Sequence, residues 1–252
     1  MLKKFLIPIL TSFLILSCSN DDSSSESSNT NGTRMVKGVA TFNNGTTQTS
    51  RYYYEGNHLV KTVQNDITNV FIYSGENIIK VENYTNANTL SSTTFCDYNA
   101  QGKLAKIYGT SLNGQPYSFV YNYNTDNSTT IVKYNGAETT ENIVNTGTIY
   151  INDGEIIKKV MTKPNGETAT YDYTYDDKNN PRKNYPAYYA IFQYSDWGSG
   201  VTGNQHNCIT VSNEGGGYNY QYEYNSDGYP IEKTRIDSNG NLMDGVNNYY
   251  YE

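Results

Sequence analysis

Cys18 is the residue whose surroundings point most directly to a chemical modification. It follows Ser17 and an apolar run over residues 5–16, which is too short to span a bilayer as a helix and has two lysines before it. This order is typical of a secretory signal whose peptidase cleaves before a cysteine and leaves a diacylated thiol. We therefore expect residues 1–17 to be a signal peptide and Cys18 to be lipidated. The preferred motif has a small residue in place of Leu16, which leaves an ordinary cysteine as the alternative.

Few other residues have the types and spacing of a catalytic or metal site. The two histidines, His58 and His206, lie in different units of the repeat described below, which leaves little material for a metal cluster or a catalytic triad. Acidic residues are scattered, with no pair placed like the acid and base of a hydrolase. We therefore predict no catalytic residue, no metal ligand and no cofactor. An enzyme is an open alternative, because residues that are distant in the sequence can form a catalytic site in the fold.

The remaining cysteines have two interpretations. Cys96 occupies a position that other units fill with tyrosine or phenylalanine, which favours a small buried hydrophobic residue. In an exported chain, a disulfide between Cys96 and Cys208 is an open alternative.

Alternating oxygen-bearing residues near the end of the chain resemble part of a calcium-binding loop, and they are Asp237, Asn239, Asn241 and Asp244. The glutamate that would complete such a loop is missing. A hairpin turn rich in Asn and Gly is the favoured interpretation.

Residues 18–33 are predicted to form a disordered tether. After Cys18 they contain no aliphatic or aromatic side chain, so they cannot bury enough apolar surface to offset the entropy of ordering. Asp21 and Asp22 resemble the acidic export signal that follows the lipidated cysteine of many Gram-negative surface lipoproteins. That resemblance implies a lipid anchor in the outer membrane, at the cell surface. A solvated acidic linker explains the two residues equally well.

Residues 34–252 have the length of a single domain. Removal of the signal peptide leaves 16 basic and 25 acidic side chains and a net charge of −9 with both histidines neutral. Such an acidic surface argues against nucleic acid as a partner. The mean hydropathy is −0.70, and no later segment has the long apolar run of a membrane helix, so we expect the domain to be soluble.

The domain is a degenerate repeat, in which a unit reads aromatic-x-aromatic, polar turn, aliphatic residue, spacer, lysine. The second aromatic position, filled once by isoleucine, is Tyr54, Tyr73, Tyr98, Tyr123, Ile151, Tyr175 and Tyr224. The lysines after the turns are Lys61, Lys80, Lys106, Lys133, Lys158, Lys183 and Lys233. The last step between units is about twice the others, which predicts a divergent eighth unit between residues 185 and 217.

Alternation along the units indicates the fold class. Segments 117–123, 171–175 and 218–224 carry an aromatic ring at every second position, with polar residues between, and the turns contain Gly or Asn where positive φ is needed. We predict an all-β fold: an antiparallel meander of about seven to eight hairpin repeats, curled into a roll or barrel-like shell with the tyrosines inside. A transmembrane barrel is disfavoured, because the outward positions lack a regular apolar band.

The recurring lysine is predicted on an exposed or semi-exposed face of the sheet. There its long stem covers apolar surface, and its charge discourages edge-to-edge pairing with other molecules.

Residues 185–217 form a divergent insert that breaks the repeat. Its aromatic residues, among them the one tryptophan of the chain, are Tyr188, Tyr189, Phe192, Tyr194 and Trp197. Repeat proteins often place binding loops in insertions, and aromatic rings stack on sugars and peptides, so these five residues are the candidate binding site for a glycan or peptide. A plug that caps the roll is the favoured alternative.

The repeat resembles the Tyr-Asp (YD) repeats of Rhs-type bacterial proteins, as residues 222–230 and 173–176 show most clearly. It is still more similar to an uncharacterised family of small secreted bacterial lipoproteins built from the same hairpins, through residues 175–181, Trp197 and residues 207–210. The resemblance covers nearly the whole domain and implies a hairpin shell. Rhs arrays enclose a toxin, and this domain is too short for that role.

Three hypotheses of different classes follow. The first is a non-catalytic, surface-anchored module that binds a ligand or supports structure at the cell envelope. The second is an envelope polysaccharide-active hydrolase whose acids converge only in the fold. The third is an accessory subunit of an outer-membrane complex. A cleft with two close carboxylates or a clustered metal site would favour the enzyme.

Overall fold

The computed structural model describes residues 32–85, 88–111, 113–185 and 203–252. Within them, sixteen antiparallel strands form a closed barrel in chain order. The strands are β1 (Met35–Thr41), β2 (Thr47–Glu55), β3 (His58–Gln64), β4 (Ile67–Ser74), β5 (Asn77–Thr85), β6 (Thr89–Tyr98), β7 (Leu104–Thr110), β8 (Pro116–Tyr123), β9 (Ser128–Asn135), β10 (Ile143–Asn152), β11 (Glu155–Thr162), β12 (Thr168–Tyr175), β13 (Cys208–Asn213), β14 (Gly216–Tyr224), β15 (Pro230–Asp237) and β16 (Leu242–Tyr251). The predicted all-β meander that curls into a barrel is confirmed. None of the described residues belongs to a helix long and apolar enough to cross a membrane.

The first and last strands close the barrel and form the eighth repeat together. Tyr251 of β16 lies opposite Met35 of β1, and Met35-Val36-Lys37 has the aliphatic-x-lysine order of the other units. The prediction of an eighth unit between residues 185 and 217 is wrong, because β13 pairs with β12 and completes the sixth unit instead.

The barrel has two distinguishable ends. Arg34 and Glu252 exchange two backbone hydrogen bonds, each of 3.0 Å, at the end that we call the near end. The turns that follow even-numbered strands lie there, and so does the long connection from β12 to β13. The turns that follow odd-numbered strands lie at the opposite end, which we call the far end.

A bulge shifts the strand register by one residue close to the near end in seven of the eight repeats. In β2 and β3, Tyr54 lies opposite Leu59. The next pair joins Tyr53 and Lys61, so Val60 is the extra residue. A bulge bends its strand and increases the local twist, which favours closure of a wide sheet. The repeat of β8 and β9 has no register shift.

A tyrosine from the next even strand donates a hydrogen bond to the backbone at each of the seven bulges. The Tyr73 hydroxyl donates to the Leu59 carbonyl oxygen at 2.9 Å, for example. The other donor and acceptor pairs are Tyr54 with Met35, Tyr98 with Ile78, Tyr123 with Leu104, Tyr175 with Ile156, Tyr222 with Cys208 and Tyr251 with Pro230. These carbonyls need a donor because the pairing with the next strand begins two residues later, at Lys61 in β3.

The repeat without a bulge shows what the tyrosine is for. In β9, pairing with β10 already begins at Ser128, so Thr129 lies within the ladder opposite Ile149. The backbone there needs no side-chain donor. The residue at the tyrosine position of β10 is Ile151, which has no hydroxyl. Bulge and tyrosine therefore occur together.

Inward side chains form a hydrophobic core inside the barrel. The buried set includes Leu59, Phe71, Ile78, Phe119, Ile131, Ile156, Tyr173 and Val211. Partly buried tyrosines of the repeat pack against them, as the alternation predicts. The placement of the tyrosine face inside the barrel is confirmed.

Two carboxylates hold the described parts of the β12–β13 connection. Glu155, which is 4% exposed, accepts hydrogen bonds from the backbone N–H groups of residues 204–206 at 2.6 to 2.8 Å. Asp176 accepts the backbone N–H of Asn207 at 2.9 Å and the hydroxyl of Tyr224. These hydrogen bonds fix the end of the connection, residues 204–207, to the barrel.

Replacing Tyr98 with phenylalanine keeps the ring and removes the hydroxyl that bonds to Ile78. We expect the free energy of unfolding in urea to fall by about 1 kcal/mol, since the carbonyl loses its donor. Tyr150→Phe is the matched control, because that ring faces outward and is 37% exposed. Equal losses in the two variants would contradict the role assigned to Tyr98.

The barrel is expected to lose stability at alkaline pH. Burial raises the pKa of Tyr73 to about 12 and also raises that of Tyr98, whereas an unfolded phenol ionises near pH 10. As the pH rises from about 10 towards these folded-state pKa values, the folded state therefore binds more protons than the unfolded state, and the free energy of unfolding is lower at about pH 11 than at about pH 9. Urea unfolding at both pH values measures this fall, which should be smaller in Tyr98→Phe. A value that does not change with pH would refute the expectation.

Candidate functional site

The residues that the sequence singles out for lipidation and ligand binding lie outside the described residues. They are Cys18, Tyr188, Tyr189, Phe192, Tyr194 and Trp197. The structure describes the two flanks of the insert. Tyr185, at its start, is buried, and its ring centroid lies 5.8 Å from that of Tyr54. This first residue therefore packs inside the near end of the barrel.

A polar cavity of about 320 Å³ lies in the far half of the barrel, beside β1–β4, β15 and β16. Tyr52 and Tyr249 contribute aromatic rings to its lining. The amide side chains that line it are Gln48, Gln64, Asn69 and Asn247. Among the described residues that line the cavity, Arg182 and Lys233 carry charge and no residue carries a carboxylate.

Lys233 faces the lumen because of its register in the sheet. It lies opposite Tyr222, one of the inward tyrosines, and its Nζ atom is 3.8 Å from the centroid of the Tyr220 ring. Burial is the main reason that its pKa falls to about 8, and the Arg182 guanidinium lowers that pKa further. The side chain is therefore mostly protonated at neutral pH, although its surroundings disfavour the charge.

Arg182 reaches the same cavity from the connection that follows β12. Its backbone N–H donates to Asn180 Oδ1 at 2.8 Å, and Asn180 is fully buried. Asn184 donates from Nδ2 to the carbonyl oxygen of Thr33 at 2.7 Å. The backbone on both sides of Arg182 is thus pinned at the near end, and its side chain lines the cavity.

Two recurring lysines lie on the opposite face from the one predicted. Lys61 points outward, with Nζ 4.3 Å from the centroid of the Tyr53 ring, as predicted. Lys133 instead lies opposite Phe119 inside the barrel, because its repeat has no bulge to shift the alternation. Lys233 points inward as well. The prediction of an exposed sheet position is therefore wrong for Lys133 and Lys233. It is also wrong for Lys183, which lies in a turn of the connection between β12 and β13 and not on a strand.

The spacing between tyrosine and lysine carries a signal of this difference. In outward cases such as Lys61 and Lys106, the lysine follows the tyrosine position by seven or eight residues. Lys133 follows Tyr123 by ten residues, and Lys233 follows its tyrosine by nine. The longer spacing distinguishes both inward lysines once the bulged units are known.

A larger cavity, of about 700 Å³, lies at the near end between the turns that follow β4, β6, β8 and β10. Charges of both signs line it, from Glu76, Lys103 and Asp153, together with several asparagines. It adjoins Ile151, the position where the repeat lacks its tyrosine. Two carboxylates and one ammonium group therefore share the lining of this cavity.

Cys96 and Cys208 are free thiols. They lie on β6 and β13, which are not neighbours in the sheet, and the alternative of a disulfide between them is not realised. Burial raises the pKa of each thiol to about 12, so both stay protonated at neutral pH. Cys96 is the small buried residue that the repeat predicts.

The resemblance to a calcium loop is explained by a hairpin turn. The Asp237 carboxylate accepts the backbone N–H groups of Asn239 and Asn241, both at 2.8 Å. These hydrogen bonds hold the pKa of Asp237 below its usual range. In the part of the chain that the structure describes, no group of three or more His, Cys, Asp or Glu side chains is placed to hold a metal ion.

No protein-family model matches the chain, and no curated protein matches it. Solved structures match it in fold. A porin-like protein from Bacteroides uniformis ATCC 8492 is 14% identical with a TM-score of 0.56, over 86% of this chain and 98% of its own. A porin-like protein from Bacteroides vulgatus ATCC 8482 is 13% identical with a TM-score of 0.56, over 87% of this chain and 99% of its own. At such identities the likeness establishes the fold, an antiparallel meander closed into a barrel.

Proposed function

We propose that the protein is a non-catalytic binding module of the cell envelope, anchored in the outer membrane by a lipid on Cys18 and displayed at the cell surface. The observation that carries this proposal is the polar cavity of about 320 Å³ inside the barrel, beside its hydrophobic core. A cavity of this size lies within the range of small-molecule sites. The tether of residues 18–33 connects the barrel to its anchor.

The positions of Arg34 and the cavity support this arrangement. Arg34 is hydrogen-bonded to Glu252 at the near end, whereas the cavity lies in the far half. A tether that joins the barrel just before Arg34 therefore starts from the end opposite the cavity. This arrangement keeps the cavity away from the point of attachment.

The outward face supports a barrel that stands in water, with the lipid as its membrane contact. Lys80 and Glu82 form an ion pair of 2.7 Å on the outside of β5, and Lys106 of β7 reaches Glu138 at 2.6 Å. Charged side chains on a lipid-facing surface cost several kcal/mol each near the bilayer centre, on the order of 2–4 for a lysine. We therefore place the barrel outside the bilayer.

The cavity lining favours binding over catalysis. Its described residues include no carboxylate, imidazole or thiol, the side chains that most often act as general acids, bases or nucleophiles. Gln64 donates to Ser50 Oγ at 2.9 Å, and Asn69 donates to Thr62 Oγ1 at 3.1 Å. These amides are held in place before a ligand arrives, which lowers the entropy that binding costs.

The aromatic insert is proposed as a second part of the binding surface, for a glycan or peptide. The support is its composition, five aromatic residues from Tyr188 to Trp197 in a segment that interrupts the repeat. Stacking of sugars and peptides on aromatic rings gives such a segment affinity at little cost in side-chain entropy.

Trp197→Ala tests the insert. We expect the full chain to bind members of a glycan and peptide panel, and this variant to bind them at least about tenfold more weakly, a loss of about 1.4 kcal/mol. Tyr150→Ala, which removes an outward ring elsewhere on the barrel, is the control and should bind as the wild type does. A Trp197→Ala variant that binds the panel like the wild type would exclude a role for the insert.

Cys18→Ser tests the anchor. We expect the wild-type chain to incorporate a radiolabelled fatty acid, to sediment with outer membranes and to be cleaved by protease added to whole cells. The variant should lose the label and leave the membrane fraction, because a single serine cannot carry the acyl chains. A variant that stays in the outer membrane without the label would show that the barrel itself holds the protein there.

A further inference from the structure

The charge in the far-half cavity points to the class of its ligand. Arg182 and Lys233 both line it, and none of the described lining residues is acidic. The next inward cation of β15, Arg235, already has a partner, because its Nε atom lies 2.8 Å from Asp244 Oδ2. The Asp244 carboxylate therefore binds Arg235, although it also favours the charge of Lys233. The described lining of the cavity holds two cations and no carboxylate.

Holding Arg182 and Lys233 together carries an electrostatic cost. Lys233 forms no ion pair with a carboxylate of the described residues, and its one close partner is the face of the Tyr220 ring at 3.8 Å. Two like charges buried inside a protein repel each other more strongly than they would in water. A bound anion would offset that repulsion. A carboxylate can accept hydrogen bonds from a guanidinium and an ammonium group in one site, and so can a phosphate.

The neutral lining adds hydrogen-bonding groups and ring faces. Gln48 and Asn247 make no side-chain hydrogen bond to a described residue, so their amides face the cavity with donors and acceptors available. Tyr52 and Tyr249 line it with aromatic rings. Amides suit hydroxyl groups, and ring faces suit the C–H faces of a sugar.

We propose that the cavity binds an acidic monosaccharide unit, a uronic acid whose carboxylate pairs with Arg182 and Lys233 and whose hydroxyls bond to Gln48 and Asn247. The proposal rests on the binding function proposed above and names the ligand class of that site. The proposal predicts that the cavity prefers a sugar carboxylate to a neutral sugar and to a sugar phosphate. The test includes all three kinds of ligand.

The test is isothermal titration of the full chain, purified in detergent at low ionic strength, with matched sugars. The probes are D-glucuronate and D-galacturonate, the neutral D-glucose and D-galactose, and D-glucose 6-phosphate. We expect both uronates to bind at least about tenfold more tightly than their neutral counterparts and than the phosphate. Added potassium chloride should weaken uronate binding, as it screens the charges.

Variants of the two cations assign the effect to this cavity. Arg182→Gln and Lys233→Gln should each weaken uronate binding about tenfold or more, whereas Lys233→Arg, which keeps the charge, should retain most of it. Lys61→Gln, which removes an outward lysine, is the matched control and should bind as the wild type does. Urea unfolding of each variant confirms that it is folded, and Lys233→Arg provides the comparison if Lys233→Gln does not fold.

The outcomes separate this inference from the function on which it rests. Neutral sugars or the phosphate that bind as tightly as the uronates would overturn the acidic-sugar assignment and leave the binding module in place. The same holds if uronates fail to bind while other panel ligands do. If no member of the sugar set or the panel binds, both proposals fail. If uronate binding is unchanged in both cation variants, the uronates bind at a site outside this cavity.

Discussion

Seven hydrogen bonds from tyrosine hydroxyls to backbone carbonyls organise the near end of the barrel. Each lies at a bulge, where a carbonyl falls outside the pairing with the next strand and would otherwise lack a donor. One such bond contributes only about 0.5–1.5 kcal/mol, but a half-buried carbonyl left without a donor costs more than that bond contributes. The bulge in turn twists the strand and turns outward the residue two positions after that carbonyl, such as Lys61 in β3 and Glu232 in β15. The requirement for a donor at the bulge therefore explains why the repeat carries its tyrosine and why its alternation shifts.

Much of this fold could be predicted from the sequence, because the spacing of residues within each hairpin determines it. Aromatic residues at every second position define the inward face, and turns such as Ser74-Gly75-Glu76 mark the hairpins, since Gly75 adopts a φ of 58°. Two features could not be read in the same way. The eighth unit is assembled from Met35 and Tyr251, which are far apart in the sequence. Lys133 points inward because its repeat lacks the bulge of the other units. The spacing of the hairpins reveals this difference only once the bulged units are known.

The candidate site was less visible than the fold. Each residue that lines the polar cavity looks ordinary in the sequence, because amides and serines are also what an outward strand face would carry. Their common position appears only when the register places Gln48, Gln64 and Asn247 on the inside. The position of Arg182 is harder still to predict. This residue belongs to the connection after β12, outside the strands, and its side chain reaches into the lumen. The sequence instead favoured the aromatic residues of the insert as the binding site, and these begin only a few residues after Arg182.

The pairing of β1 with β16 has a consequence for how the molecule is made. Strand β16 follows the other fifteen described strands in the chain, so until it has been synthesised the growing sheet has an open edge at β1 and another at its newest strand. Neither edge is satisfied until the final strand arrives. The barrel therefore cannot close before β16 has been synthesised. Any partner that holds the chain during synthesis has those two edges to protect.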